Sequence, residues 1–157
     1  MREAGNYPIG SIIIDDVHAC MDKIIDQFMI KIDAETDAYK ELIALFSSSL
    51  KDYNPKNYID VVEMKDCRNN MLVPYWEWQR QQDNIYRILT KYNNSDNTSI
   101  YFGLPLIERC LETCDCIITA SAIEISPKGI DLDKISSLEE ASRRIYMSAT
   151  LADDSVF

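Results

Sequence analysis

Asp15, Asp16 and His18 lie within four residues of one another, directly after the apolar run Ile12-Ile13-Ile14, and His18 is the only histidine in the chain. An aspartate at the carboxyl end of a buried strand can hold Mg²⁺ directly or through water. A neighbouring carboxylate can orient and deprotonate the water that attacks a phosphoryl group. Asp15 would take the metal and Asp16 the water. A second apolar run, Ile145-Tyr146-Met147, leads into Ser148-Ala149-Thr150, whose hydroxyls can donate to and accept from such carboxylates. The plainer alternative is a solvated strand end, with Asp16 capping the helix that follows.

Two consecutive motifs carry a resemblance. Ile14-Asp15-Asp16-Val17-His18 resembles motif II of superfamily 2 helicases, Asp-Glu-x-His, and Met147-Ser148-Ala149-Thr150-Leu151 resembles their motif III, Ser-Ala-Thr. The run from Ile123 to Pro127 and on through Arg144 to Ser155 is similar to a bacterial family of large DExH-type (DEAD/DEAH-box-like) helicase proteins. The likeness covers both ends of the chain well and the middle loosely. It implies ATP and Mg²⁺ as cofactors of a parent motor, with Asp15 binding the cofactor and Asp15 and Asp16 holding the metal. Asp16, His18, Ser148 and Thr150 would be its catalytic and coupling residues. Asp16 stands where the family has glutamate. The shorter side chain draws the carboxylate back by about 1.5 Å, one C–C bond, and misplacement on that scale can cost about a hundredfold in rate.

No G-x-x-x-x-G-K-[ST] phosphate loop occurs in the 157 residues, and 129 residues separate His18 from Ser148. The expectation is therefore an excised or truncated piece of an ATP-dependent helicase, inactive by itself, with a large insertion between its motifs. The competing expectation is a non-catalytic interaction or oligomerisation domain, pairing with a second copy through an exposed sheet edge. A standalone nucleotide sensor ranks below both.

Composition bounds these readings. The chain carries 26 Asp and Glu against 16 Lys and Arg, a formal net charge of -10. That balance opposes autonomous binding to a polyanion, so nucleic acid is expected only through the parent. No signal-like segment or long apolar run suggests a membrane, and the chain reads as cytoplasmic. The five cysteines form no C-x-x-C pair. The one cluster, Cys110, Cys114 and Cys116, reads as buried or half-buried free thiols, ahead of a metal or redox role.

The elements that must position the motifs alternate between strand and helix, which predicts an α/β unit: a partial RecA-like (P-loop NTPase) lobe of mostly parallel strands with a large α/β insertion. Residues 1–157 are expected to form one compact unit, with 11–25 and 143–157 as motor strands and flanks and about 26–142 as the insertion. The three isoleucines predict a strand buried on both faces at residues 11–15 and a helix over 17–25. Strands are also expected at 28–32, 58–64, 116–120 and 144–147, with 123–125 either extending the strand at 116–120 or forming one of its own. Helices are expected from Asp37, as N-cap, to Asn54-Pro55, from Pro74 to Tyr92, over 105–111, and over 136–141, where Ser137 and Glu140 have capping-box spacing. In Tyr75-Trp76-Glu77-Trp78-Gln79-Arg80, Tyr75 and Trp78 share the apolar face with Ile85 and Leu89 and read as core. Only Trp76 and Arg80 are left to stack on a base.

Overall fold

The computed structural model describes residues 10–129 and 135–148, and among these period-two and helical apolar spacing yield six strands and seven helices. In chain order these are β1 (Ser11–Ile14), α1 (Val17–Gln27), β2 (Ile30–Asp33), α2 (Asp37–Tyr53), α3 (Pro55–Tyr58), β3 (Asn70–Leu72), α4 (Tyr75–Arg80), α5 (Gln82–Lys91), α6 (Thr98–Ile107), β4 (Cys114–Thr119), β5 (Ala122–Pro127), α7 (Ser136–Glu139) and β6 (Arg143–Tyr146). A π-helical turn at Ile59–Glu63 follows α3, and a 3₁₀ turn at Glu108–Thr113 follows α6. By contact the chain divides into two compact units. One comprises residues 1–26 and 130–157, the other Gln27–Gly129. No linker composition marks the division.

The Gln27–Gly129 unit is α/β, with a four-stranded antiparallel sheet in the order β2-β5-β4-β3. Antiparallel pairing departs from the mostly parallel arrangement that strand–helix alternation suggests. The reason is local: β4 and β5 are joined through Ala120 and Ser121 alone, and so short a connection can only return antiparallel. Inward residues alternate along the strands. Ile30 and Ile32 on β2, Met71 on β3, Cys114, Cys116 and Ile118 on β4, and Ile123 and Ile125 on β5 are all buried. Leu42, Phe46 and Leu50 of α2, Trp78 of α4, Ile85 and Leu89 of α5, and Ile100, Leu104 and Ile107 of α6 complete the core.

Buried polar groups are satisfied in this core. The Trp78 indole N–H donates to the Leu111 carbonyl at 2.8 Å, and the Tyr39 hydroxyl to the Thr119 carbonyl at 3.0 Å. Among the described residues no buried side-chain nitrogen or oxygen lacks a partner.

Several local expectations are corrected. Thr36, not Asp37, caps α2: its hydroxyl accepts from the Tyr39 N–H at 3.2 Å, leaving Asp37 in the first turn, where its charge favours the helix dipole. Residues 58–64 form no strand. Asn54 caps and Pro55 opens a helix there, Tyr58 and Val61 bury one face three residues apart, and the Met64 N–H closes the π turn on the Ile59 carbonyl at 2.8 Å. Burial at helical spacing overrides the β preference of Ile59, Val61 and Val62. Helix α6 begins seven residues before Pro105, which sits inside it. Ser137 lies within α7 rather than at its cap. Tyr75 is 65% exposed while Trp78 is 1% exposed: of the two α4 residues three apart, only Trp78 is buried with Ile85 and Leu89.

The other unit is built on a two-stranded parallel sheet, β1 beside β6, with Ser11 opposite Arg143 and Ile14 opposite Tyr146. Arg144 ties α7 to this pair, its Nε donating to the Leu138 carbonyl at 2.7 Å at the end of that helix. The expectation that β1 is buried on both faces fails: Ile13 is 64% exposed and Ile12 and Ile14 are half-buried. Two strands cannot cover both of their own faces, and no residue of α1 is fully buried.

Candidate functional site

The end of the β1–β6 pair gathers the two motifs. Beyond β1, the Met147 N–H donates to the Ile14 carbonyl at 2.8 Å, and the Met147 carbonyl accepts from the Val17 N–H at 3.0 Å. One residue of the second motif thus clamps the backbone on both sides of Asp15 and Asp16. These two residues form a tight turn between strand and helix, and both are exposed. Ser148 follows Met147 directly and is half-buried. His18 lies in the first turn of α1 and is exposed. Thr150 lies outside the described residues, as do Asp153 and Asp154.

The turn is held from within as well. The Asp15 carboxylate accepts the Asp16 N–H at 3.0 Å, the Asp16 carbonyl accepts the Cys20 N–H at 3.1 Å to start α1, and the Cys20 thiol donates to the Asp15 carbonyl at 3.4 Å. Asp16 has φ 51°, in the left-handed region that aspartate tolerates better than most side chains. Asp16 therefore starts α1 through its carbonyl. The sequence reading missed Cys20 and the backbone of Met147. Only the i, i+5 spacing from Asp15 pointed to the first, and nothing in side-chain chemistry pointed to the second.

Chemically, the turn presents two adjacent solvent-facing carboxylates at a strand end beside a serine. Mg²⁺ keeps most of its waters and takes only one or two protein carboxylates when a phosphate supplies the rest, so this donor set fits a metal delivered with a nucleotide. Among the described residues no group of three or more His, Cys, Asp or Glu side chains gathers to hold a metal. Below the turn, Ile14, Asp16, Cys20, Lys23, Ile24 and Leu138 border an open, mainly apolar groove of about 560 Å³. No helix among the described residues is long and apolar enough to cross a membrane.

The cysteine cluster lies elsewhere, in the Gln27–Gly129 unit. All five thiols are free; Cys114 and Cys116 are buried, and burial pushes the Cys114 thiol up to about 12 and raises that of Cys116 as well. Such thiols pack as small apolar groups.

Scans against protein-family models, characterised proteins and solved structures found no match to this chain.

Proposed function

We propose that residues 10–26 and 135–148 belong to the nucleotide-hydrolysing, RecA-like lobe of an ATP-dependent nucleic-acid helicase, and that Gln27–Gly129 is a unit inserted between its second and third motifs. One observation carries this reading. The strands that bear the two motifs are parallel neighbours, and Met147 bonds to the backbone on both sides of the Asp15-Asp16 turn. A change at the Ser148 strand end is thereby transmitted to the acid pair through two hydrogen bonds, as coupling of nucleotide state to movement requires. The exposure of Ile13 is a second support, since an apolar strand of this kind is normally covered by further strands and helices.

In that lobe Asp15 would hold Mg²⁺, which when bound neutralises phosphate charge. Asp16 would accept a proton from the attacking water, and His18 and Ser148 would bond to the groups around it. The sequence contains no phosphate loop, so the 157-residue chain by itself should not turn over ATP.

The test uses the protein encoded by the complete reading frame that contains this sequence. We expect that frame to encode a phosphate loop before Asp15 and its product to release phosphate from Mg²⁺-ATP, with Asp15→Ala and Asp16→Ala each lowering kcat at least about a hundredfold. A frame without a phosphate loop, or turnover indifferent to both substitutions, refutes the proposal. The alternative of a non-catalytic interaction domain draws on a different observation: Gln27–Gly129 has a sheet and core of its own.

A further inference from the structure

The strand β3 forms one edge of the antiparallel sheet. The Val73 N–H donates to the Cys116 carbonyl at 2.9 Å, and the register sets Met71 opposite Ile118 and Leu72 opposite Ile117. Antiparallel ladders alternate, so Met71 and Val73 turn their backbone groups toward β4 and Leu72 turns its N–H and carbonyl toward the open side. On that side the Asn70 carbonyl is taken by the Asn57 amide at 2.8 Å, whereas Leu72 has no such partner among the described residues. Leu72 is also 52% exposed and helps to line a cavity of about 310 Å³.

Three aromatic rings stand around the same cavity. Tyr53 and Tyr75 each meet Trp76 edge-on, with centroids 5.5 and 5.4 Å apart and interplanar angles of 77° and 82°. All three are exposed, Trp76 by 51%. The electron-rich face of an exposed tryptophan or tyrosine attracts guanidinium and ammonium groups. Asp115 and Lys128 both line the cavity and pair with each other at 3.3 Å, so the excess of acid belongs to the unit as a whole. Around it the Gln27–Gly129 unit carries 15 Asp and Glu against 11 Lys and Arg.

We propose that this edge binds an extended basic peptide segment, whose backbone pairs with Leu72 and whose arginine or lysine side chain lies against Trp76 between Tyr53 and Tyr75. An open N–H and carbonyl on a sheet-edge residue is complementary to the backbone of an extended peptide. The excess of acid favours a cationic partner over a phosphate chain. The site lies within Gln27–Gly129 and is independent of the ATP reading.

The probe is a fluorescein-labelled peptide of alternating valine and arginine, six residues long, titrated with the 157-residue chain and followed by anisotropy. We expect saturable binding. It should weaken at least about tenfold in Trp76→Ala, in the same peptide with glutamate for arginine, and in the peptide N-methylated at alternate amides, which cannot pair with an edge strand. Trp76 lies on the surface, and circular dichroism verifies the variant's fold; the N-methylated peptide tests backbone pairing with no change to the protein. Absence of saturation, equal binding by the N-methylated peptide, indifference to Trp76→Ala, or tighter binding of an oligothymidylate each overturns the proposal.

Discussion

Gly103→Ala sets two known effects of similar size against each other. Gly103 lies in the interior of α6, where alanine is the better helix former by about 1 kcal/mol. A Cβ built there would stand 2.6 Å from Ile30 Cγ1, 3.5 Å from Cδ1 and 3.7 Å from Cβ. Carbon atoms are comfortable at about 3.5–4.0 Å, so the first contact must open by about 1 Å. Ile30 cannot easily retreat: it is fully buried on β2, and Cγ1 is the first atom of its branch, which moves only with χ1 or the backbone. Nor can α6 readily lift, because Ser99 near its start accepts the Lys31 N–H at 2.7 Å.

Overpacking of this kind costs about 1–3 kcal/mol, and the pinned helix puts it at the upper end. The net loss is then about 1–2 kcal/mol, which for a unit of about 100 residues lowers Tm by about 4–16 °C. Thermal unfolding followed by circular dichroism and tryptophan fluorescence reads it. Ile30→Ala removes Cγ1, so in that background Gly103→Ala should be neutral or stabilising by up to about 1 kcal/mol. A rise in Tm in the parent chain, or the same decrement in both backgrounds, refutes the reasoning.

Two further outcomes follow from buried groups. Desolvation pushes the Glu77 carboxyl up, but hydrogen bonds from Arg80, Ser49 and Gln81 together outweigh it and hold the group below its ordinary 4.5. A folded-state value below the unfolded one means a stabilising contribution present above about pH 4.5 and lost as pH falls through the folded value. Tm should therefore drop on acidification below that point, and less steeply in Glu77→Gln; equal slopes from pH 5 to 2.5 would refute the role of this carboxyl. For the thiols, a rise from 9.0 to about 12 at Cys114 lowers its thiolate fraction about a thousandfold near neutral pH. Peptide mapping after iodoacetamide should find exposed Cys67 modified long before Cys114 or Cys116, and comparable rates in the native protein would show that the buried cluster is open.

Legibility in the sequence followed the range of the interactions involved. The alternation of Phe28, Ile30 and Ile32 marked β2, and the spacing of Tyr39, Leu42, Ile43, Phe46 and Leu50 marked α2, because both patterns repeat within a few residues of the chain. The run at residues 58–64 was misleading, since its β-branched residues favour a strand locally and only the packing of Tyr58 and Val61 makes it helical. Tyr75 likewise has the helical spacing of a core residue, and only the packing of α4 leaves it exposed while Trp78 is buried. The short strand β3 left no signal in three residues, and it exists because β4 offers it an edge.

At the candidate site, the sequence by itself determined which chemical groups are present: two adjacent carboxylates, one histidine and a serine after a second apolar run, in an order that resembles two helicase motifs. It also determined the acidic balance, which is a sum over residues and needs no fold. The tertiary structure alone decided that the two runs pair in parallel, that Met147 grips the backbone around Asp15 and Asp16, and that Asp16 takes a left-handed conformation. The first two are contacts between backbones more than 120 residues apart, made by N–H and carbonyl groups that every residue carries, so no side-chain pattern records them.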